Sequence, residues 1–191
     1  MRQMLRLLAP YFAVGLFCCL WSNAWLALIA YHTQILFWSR GSLSQIRRPA
    51  CKRLLLLGLP TVATGPLLYV LLLNNTHTDI QVWLANHRLT GLLLTALIPY
   101  FGLINPWLEE IHWTPLRNST WLAHLLFAGY HVLVLYSLLT IPWLILCFTV
   151  LLIVSYMWQQ LTRMSQSLIP AILSHILADL GIVVAVWLYV K

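Results

Sequence analysis

Acidic residues are almost missing from this chain. Among 191 residues there are four, Asp79, Glu109, Glu110 and Asp179, against eleven lysines and arginines. Charged residues of either sign make up only 8% of the sequence, whereas an ordinary soluble domain carries about a quarter. A soluble fold of this size cannot hide the apolar surface that remains, so a cytosolic globular domain is excluded, as are disordered, collagen-like and coiled-coil chains. Cysteine is also scarce. Cys18, Cys19, Cys51 and Cys147 form no Cys-x-x-Cys pair, and they read as small buried residues rather than a thiol motif. Internal repeats, low-complexity tracts and flexible linkers are lacking too, which points to one compact body.

What the chain does contain is apolar: 61% of residues are hydrophobic and the mean hydropathy is +0.84. A helix needs about 20 mostly apolar residues to cross a bilayer. Six stretches qualify, at roughly 9–37, 54–73, 89–110, 119–137, 141–158 and 168–190. Their runs are continuous and do not alternate, which excludes a membrane barrel. The expected fold is therefore all-α, a polytopic transmembrane helix bundle of about six spans. The first stretch is long for one span and carries Ser22 and Asn23, where it is expected to tilt or break. Arg2 and Arg6 give a signal-peptide-like start with no clear small-residue cleavage site behind it, so a retained first helix is expected.

The basic residues Arg40, Arg47, Arg48, Lys52 and Arg53 cluster between the first two stretches, and that loop is expected on the cytoplasmic side. Residues 74–88 then fall outside, the links holding Arg117 and Arg163 inside, and both termini outside, a placement that Arg2 and Arg6 oppose. Residues 1–88 read as N-terminal transmembrane helices with a basic cytoplasmic loop, and 89–191 as a helical core. The net charge of +7 reads as topology and contact with the lipid bilayer. The basic loop has no interleaved aromatics, and no nucleic acid is expected as a partner. Most of the ten tryptophans read as interface anchors or packing.

An ionised side chain in hydrocarbon costs about 2.5–3.5 kcal/mol on insertion scales, so each intramembrane charge needs a partner or a task. Asp79 lies in a loop. Glu109 and Glu110 stand at the end of the third stretch, where adjacent helical positions point about 100° apart. One is expected to face a site while the other holds a neighbouring helix. Like charges this close also raise one pKa, which is how a general base or acid becomes available near neutral pH. His112 lies three residues after Glu109. In the fourth stretch His131 shares a face with Phe127 and His124. In the last stretch His175 and Asp179 are four apart on one face, as a structural couple, two metal ligands or a histidine oriented by a carboxylate. Three helices each bringing a polar group into an apolar bundle imply a shared polar cavity.

The order Glu109-Glu110-Ile-His-Trp-Thr114, Phe127-Ala-Gly-Tyr-His131, His175-Ile-Leu-Ala-Asp179 resembles the CAAX protease and bacteriocin-processing family (CPBP, or Abi) of intramembrane proteases. That family carries Glu-Glu-x-x-x-Arg, Phe-x-x-x-His and His-x-x-x-Asn/Asp on separate helices. The likeness covers about 95–190. It implies an integral, multi-pass protein of a bacterial plasma membrane that hydrolyses a membrane-associated or lipidated peptide or protein. The residues it implies as catalytic are Glu109, Glu110, His131, His175 and Asp179. Glu109 would be the base, His131 its partner on the water, and His175 and Asp179 would stabilise the oxyanion. Supporting roles fall to His112, Arg117, Phe127 and His124. The family is often described as metalloprotease-like, and Glu109, His131, His175 and Asp179 could supply a zinc site, although no His-Glu-x-x-His helix is present. Two positions depart from the pattern. Thr114 stands where the family has arginine, with Arg117, seven residues after Glu110, or His112 as substitute partners. Asp179 replaces the more familiar Asn. The departure at Thr114 supports an alternative, a non-enzymatic bacteriocin-immunity or membrane regulatory protein. A haem-binding electron carrier using His124, His131 and His175 and a proton-coupled transporter are further readings.

Overall fold

The computed structural model describes residues 2–39, 52–72 and 75–191. Arg40, Arg47, Arg48 and Cys51 lie outside the described residues, so the expected basic loop is only flanked by structure. The chain is 86% helical with no strands among the described residues. Helix α1 runs Arg2–Leu20, α2 Ala24–Trp38, α3 Thr64–Leu72, α4 Ile80–Asn86, α5 Gly91–Ser119, α6 Leu122–Leu135, α7 Ile141–Ser165 and α8 Ile169–Val190. A 3₁₀ segment, Lys52–Ala63, leads into α3. Four of these helices, α1, α5, α7 and α8, are long and apolar enough to cross a membrane, and α2 and α6 are shorter apolar helices. Side chains such as Leu92, Leu20, Phe12 and Ile141 are largely exposed, as a lipid-facing surface requires.

The first apolar stretch is two helices, not one tilted span. Ser22 adopts φ +48°, a left-handed conformation that ends α1. Asn23 then caps α2, its side-chain oxygen accepting from the Leu26 amide at 3.0 Å. Local geometry explains the other breaks. Wide turns over Tyr100–Ile104 precede Pro106 in α5, where the proline leaves the Gly102 carbonyl without its usual donor. Pro142 and Pro170 sit in the first turns of α7 and α8, where a missing N–H costs nothing. Asp79 is the N-cap of α4, accepting from Gln81 and Val82 at 2.9 and 3.1 Å.

Contacts sort the helix ends into two groups. At one end Gln3 donates to Ser119 at 2.8 Å and Arg163 to Asn118 at 3.1 Å, joining the start of α1 to the ends of α5 and α7. At the other, the Ala24 amide donates to the His87 carbonyl at 3.2 Å, the His77 amide to Leu138 at 2.8 Å, and the Gln81 side chain to the Val190 carbonyl at 3.4 Å. Arg2 and Val190 thus lie at opposite ends. This corrects the expectation of both termini on one side, and the reason is the extra reversal at Ser22–Asn23.

Helix α8 is the spine. The 3₁₀ segment and α3 run alongside it, with Thr61 donating to the Ser174 carbonyl at 2.9 Å and Thr64 to that of Ala178 at 3.3 Å. Glycine permits this approach: a Cβ on Gly58 would lie 2.7 Å from Ser174 Cβ, and one on Gly65 would overlap the Gly181 carbonyl. The main core cluster joins Leu7, Cys18, Tyr31, Trp113, Phe127, Trp158 and Ala171, so α1 and α2 pack into the same body as α5 to α8.

Candidate active site

Helix α5 does not end at the paired glutamates. It continues through Pro115 to Ser119, and Glu109 and Glu110 are 1% and 0% exposed. A carboxylate pair solvated at a helix end is thereby ruled out. The polar run from Glu109 to Arg117 stays helical inside the bundle because its groups find partners there.

Glu110 is held by Arg117. The guanidinium Nη1 lies 2.8 Å from Oε2 and 3.1 Å from Oε1, and Thr114 donates to Oε2 at 3.0 Å. Residues seven apart share a helical face, and Pro115 between them does not break that geometry. The Arg117 cation also stands 4.8 Å over the Phe127 ring and 5.5 Å over that of Trp158.

The imidazole of His175 is the hub. Its Nδ1 is 3.2 Å from Glu110 Oε1, and its Nε2 is 3.5 Å from both Glu109 Oε2 and Asp179 Oδ1. The two glutamates point apart as adjacent helical residues must, yet both reach one ring through its opposite edges. Trp158 stacks on that ring at 3.9 Å and 20° and donates to Ser174 at 3.0 Å, fixing its plane. Nδ1 is thus within hydrogen-bond distance of Glu110, while Nε2 stands at ion-pair distance from the other two carboxylates.

Asp179 is anchored from the far side. Asn105 Nδ2 donates to Asp179 Oδ2 at 3.0 Å, and Asn105 Oδ1 lies 2.9 Å from His32 Nε2, whose other nitrogen is 2.9 Å from the Tyr100 hydroxyl. Asp179 is therefore an acceptor that orients His175. Glu109 is anchored by α6: the Tyr130 hydroxyl donates to Oε1, and Tyr130 itself stacks on Trp113, which donates to Tyr31 at 2.7 Å. Glu109 Oε2 has no hydrogen-bond partner.

The structure thus brings Glu109, Glu110, Arg117, His175 and Asp179 together, with Phe127 packed against them. His131 stands one hydroxyl away. Its Nδ1 faces the Phe127 carbonyl at 2.8 Å and its Nε2 faces Tyr130 at 3.2 Å, so Tyr130 lies between it and Glu109. His112 faces the Arg6 carbonyl at 3.2 Å and His124 faces Ser155 at 2.8 Å; neither partners the acids. The centre also recruits Asn105, His32 and Tyr130. Asn105 stands one turn before Glu109 and Tyr130 next to His131, and their place inside apolar stretches was the available signal.

Set against models of known families, curated proteins and solved structures, the chain matches none. The site speaks through its own chemistry.

Zinc does not fit these residues as they stand. Among the described residues no group of three or more His, Cys, Asp or Glu side chains is disposed to hold a metal ion, and His175 has both nitrogens turned to carboxylates. Haem finds no free axial nitrogen there either, because those of His175 face carboxylates and those of His131 face the Phe127 carbonyl and the Tyr130 hydroxyl. The arrangement can take a proton at Glu109 Oε2 and present positive charge beside it.

Proposed function

We propose that the chain is an intramembrane peptidase of the type its motif order resembles, cutting a membrane-associated or lipidated peptide with Glu109 as general base. The supporting observation is Glu109 Oε2, a buried carboxylate oxygen without a hydrogen-bond partner beside His175. Leaving such an atom unpaired costs on the order of 1–3 kcal/mol or more, a cost expected where an atom has work in a reaction. Tyr130 occupies the other oxygen, so Oε2 is the one that accepts a hydrogen from the attacking water. Glu109 takes that proton as the water oxygen bonds to the scissile carbonyl carbon, and returns it to the leaving nitrogen as the C–N bond breaks. The doubly held His175 ring supplies positive potential for the oxygen that becomes negative. Arg117 balances Glu110, and Glu110 and Asp179 hold the ring in place.

The deep burial of Glu109 and Glu110 favours a second reading, a regulatory or immunity protein that binds a peptide without cutting it. Both readings are tested by incubating purified protein and its Glu109→Ala variant with a library of membrane-tethered peptides. Cleavage by the parent that falls about 10²–10⁴-fold in the variant is expected, the usual worth of a general base. A folded parent that cuts nothing, or a variant that cuts equally well, overturns the peptidase.

The membrane placement proposed with this function runs through α1, α2, the 3₁₀ segment with α3, α5, α6, α7 and α8 in turn. Among the described residues, Arg2, Arg6, Arg117 and Arg163 then share the cytoplasmic end with Lys52 and Arg53, and Arg88 and Lys191 stand opposite. This removes the conflict between Arg2, Arg6 and the basic segment. A reporter enzyme fused after Lys191 should be active outside the membrane; activity on the cytoplasmic side would sink this orientation.

A further inference from the structure

At the end opposite Arg2 and Arg163 there is a cavity of about 330 Å³, lined by Cys18, Cys19, Ser22, Asn86, His87 and Val134 among others. Its volume falls at the low end of the roughly 300–1,000 Å³ typical of ligand sites. None of its lining residues is an acid, lysine or arginine; besides the thiols, Val134 and Trp83, it presents hydroxyl, amide and imidazole groups. Two of its lining residues share an element or a packed cluster with the acid centre. Val134 follows His131 by three residues on α6, hence lies on a neighbouring face roughly 4.5 Å further along the axis. Cys18 belongs to the same packed cluster as Tyr31, Trp113, Phe127 and Tyr130, the side chains around Glu109.

We propose, on the peptidase reading above, that this cavity is the mouth of the site and takes an uncharged, polar segment of the substrate peptide. The segment enters from the end opposite the basic one. Neutral donors and acceptors pair with its backbone and side chains, and nothing in the lining compensates a charge, so a charged segment would be desolvated without return. The wall along α6 directs the bound chain toward Tyr130 and Glu109.

The pocket's own thiols provide the test. Full-length protein with Cys51→Ser and Cys147→Ser is placed in phosphatidylcholine–phosphatidylglycerol vesicles and treated with a charged methanethiosulfonate. Labelling at Cys18 or Cys19 should lower cleavage of a tethered peptide by about tenfold or more, through KM more than kcat. The same treatment should leave unchanged the rate of a protein that also carries Cys18→Ala and Cys19→Ala. Labelled protein that cuts at its former rate, or thiols unreactive in folded protein, overturns the mouth and leaves the peptidase standing. A parent protein that cuts no peptide overturns both.

Discussion

Replacing Arg117 with methionine should cost about 3–5 kcal/mol of stability, the usual penalty for leaving one member of a buried ion pair alone. Both side chains of the Arg117–Glu110 pair are 0% exposed, so water cannot take the place of the lost cation. Thr114 still donates to Glu110, but a hydroxyl brings no charge. The pair is a costly one even when intact, because Arg117 Nε and Nη2 have no hydrogen-bond partners. Adding Glu110→Gln to Arg117→Met should therefore recover most of the loss, since removing both charges removes both desolvation penalties. Unfolding of the two variants and the parent in mixed micelles measures this. A single variant as stable as the parent would show that Arg117 does not hold Glu110 as an ion pair.

The helical bundle was legible because hydropathy alone decides it: long continuous apolar runs admit few alternatives in a membrane. The pair Ser22–Asn23 marked a tilt or a break, and the φ +48° at Ser22 makes it a break that reverses the chain. The far end of α5 was not legible. Glu-Glu-Ile-His-Trp-Thr-Pro reads as a chain leaving the bilayer, and only tertiary partners keep it helical inside.

The candidate site divides in the same way. Spacing places His175 and Asp179 on one face and Arg117 below Glu110, and the structure has both arrangements. Spacing within one helix cannot say which side chain of another helix it meets. Hence Asn105, which fixes Asp179, and Tyr130, which stands between Glu109 and His131, are not legible from spacing. Nor is the fate of His112, turned to the carbonyl of Arg6. Thr114 donates to Glu110, and Arg117 supplies the cation from one turn further along the helix.

Changing His175 to leucine should do the most damage of any single substitution. The ring is the common neighbour of Glu109, Glu110 and Asp179, and leucine leaves carboxylates facing one another across an apolar gap. The expected loss is at least about 3–5 kcal/mol of stability, the scale for an uncompensated buried charge, together with all cleavage. Because a protein that fails to fold also fails to cut, the decisive variant adds Glu109→Gln and Asp179→Asn to His175→Leu. Those neutral amides remove the uncompensated charges and should restore much of the stability, read by unfolding in mixed micelles. On the peptidase reading cleavage should stay absent, since neither the proposed base nor its positive neighbour remains. Stability and cleavage that return together would make His175 a packing element and take the reaction elsewhere. A stable, fully active His175→Leu single variant would show that the acids do not depend on the ring at all.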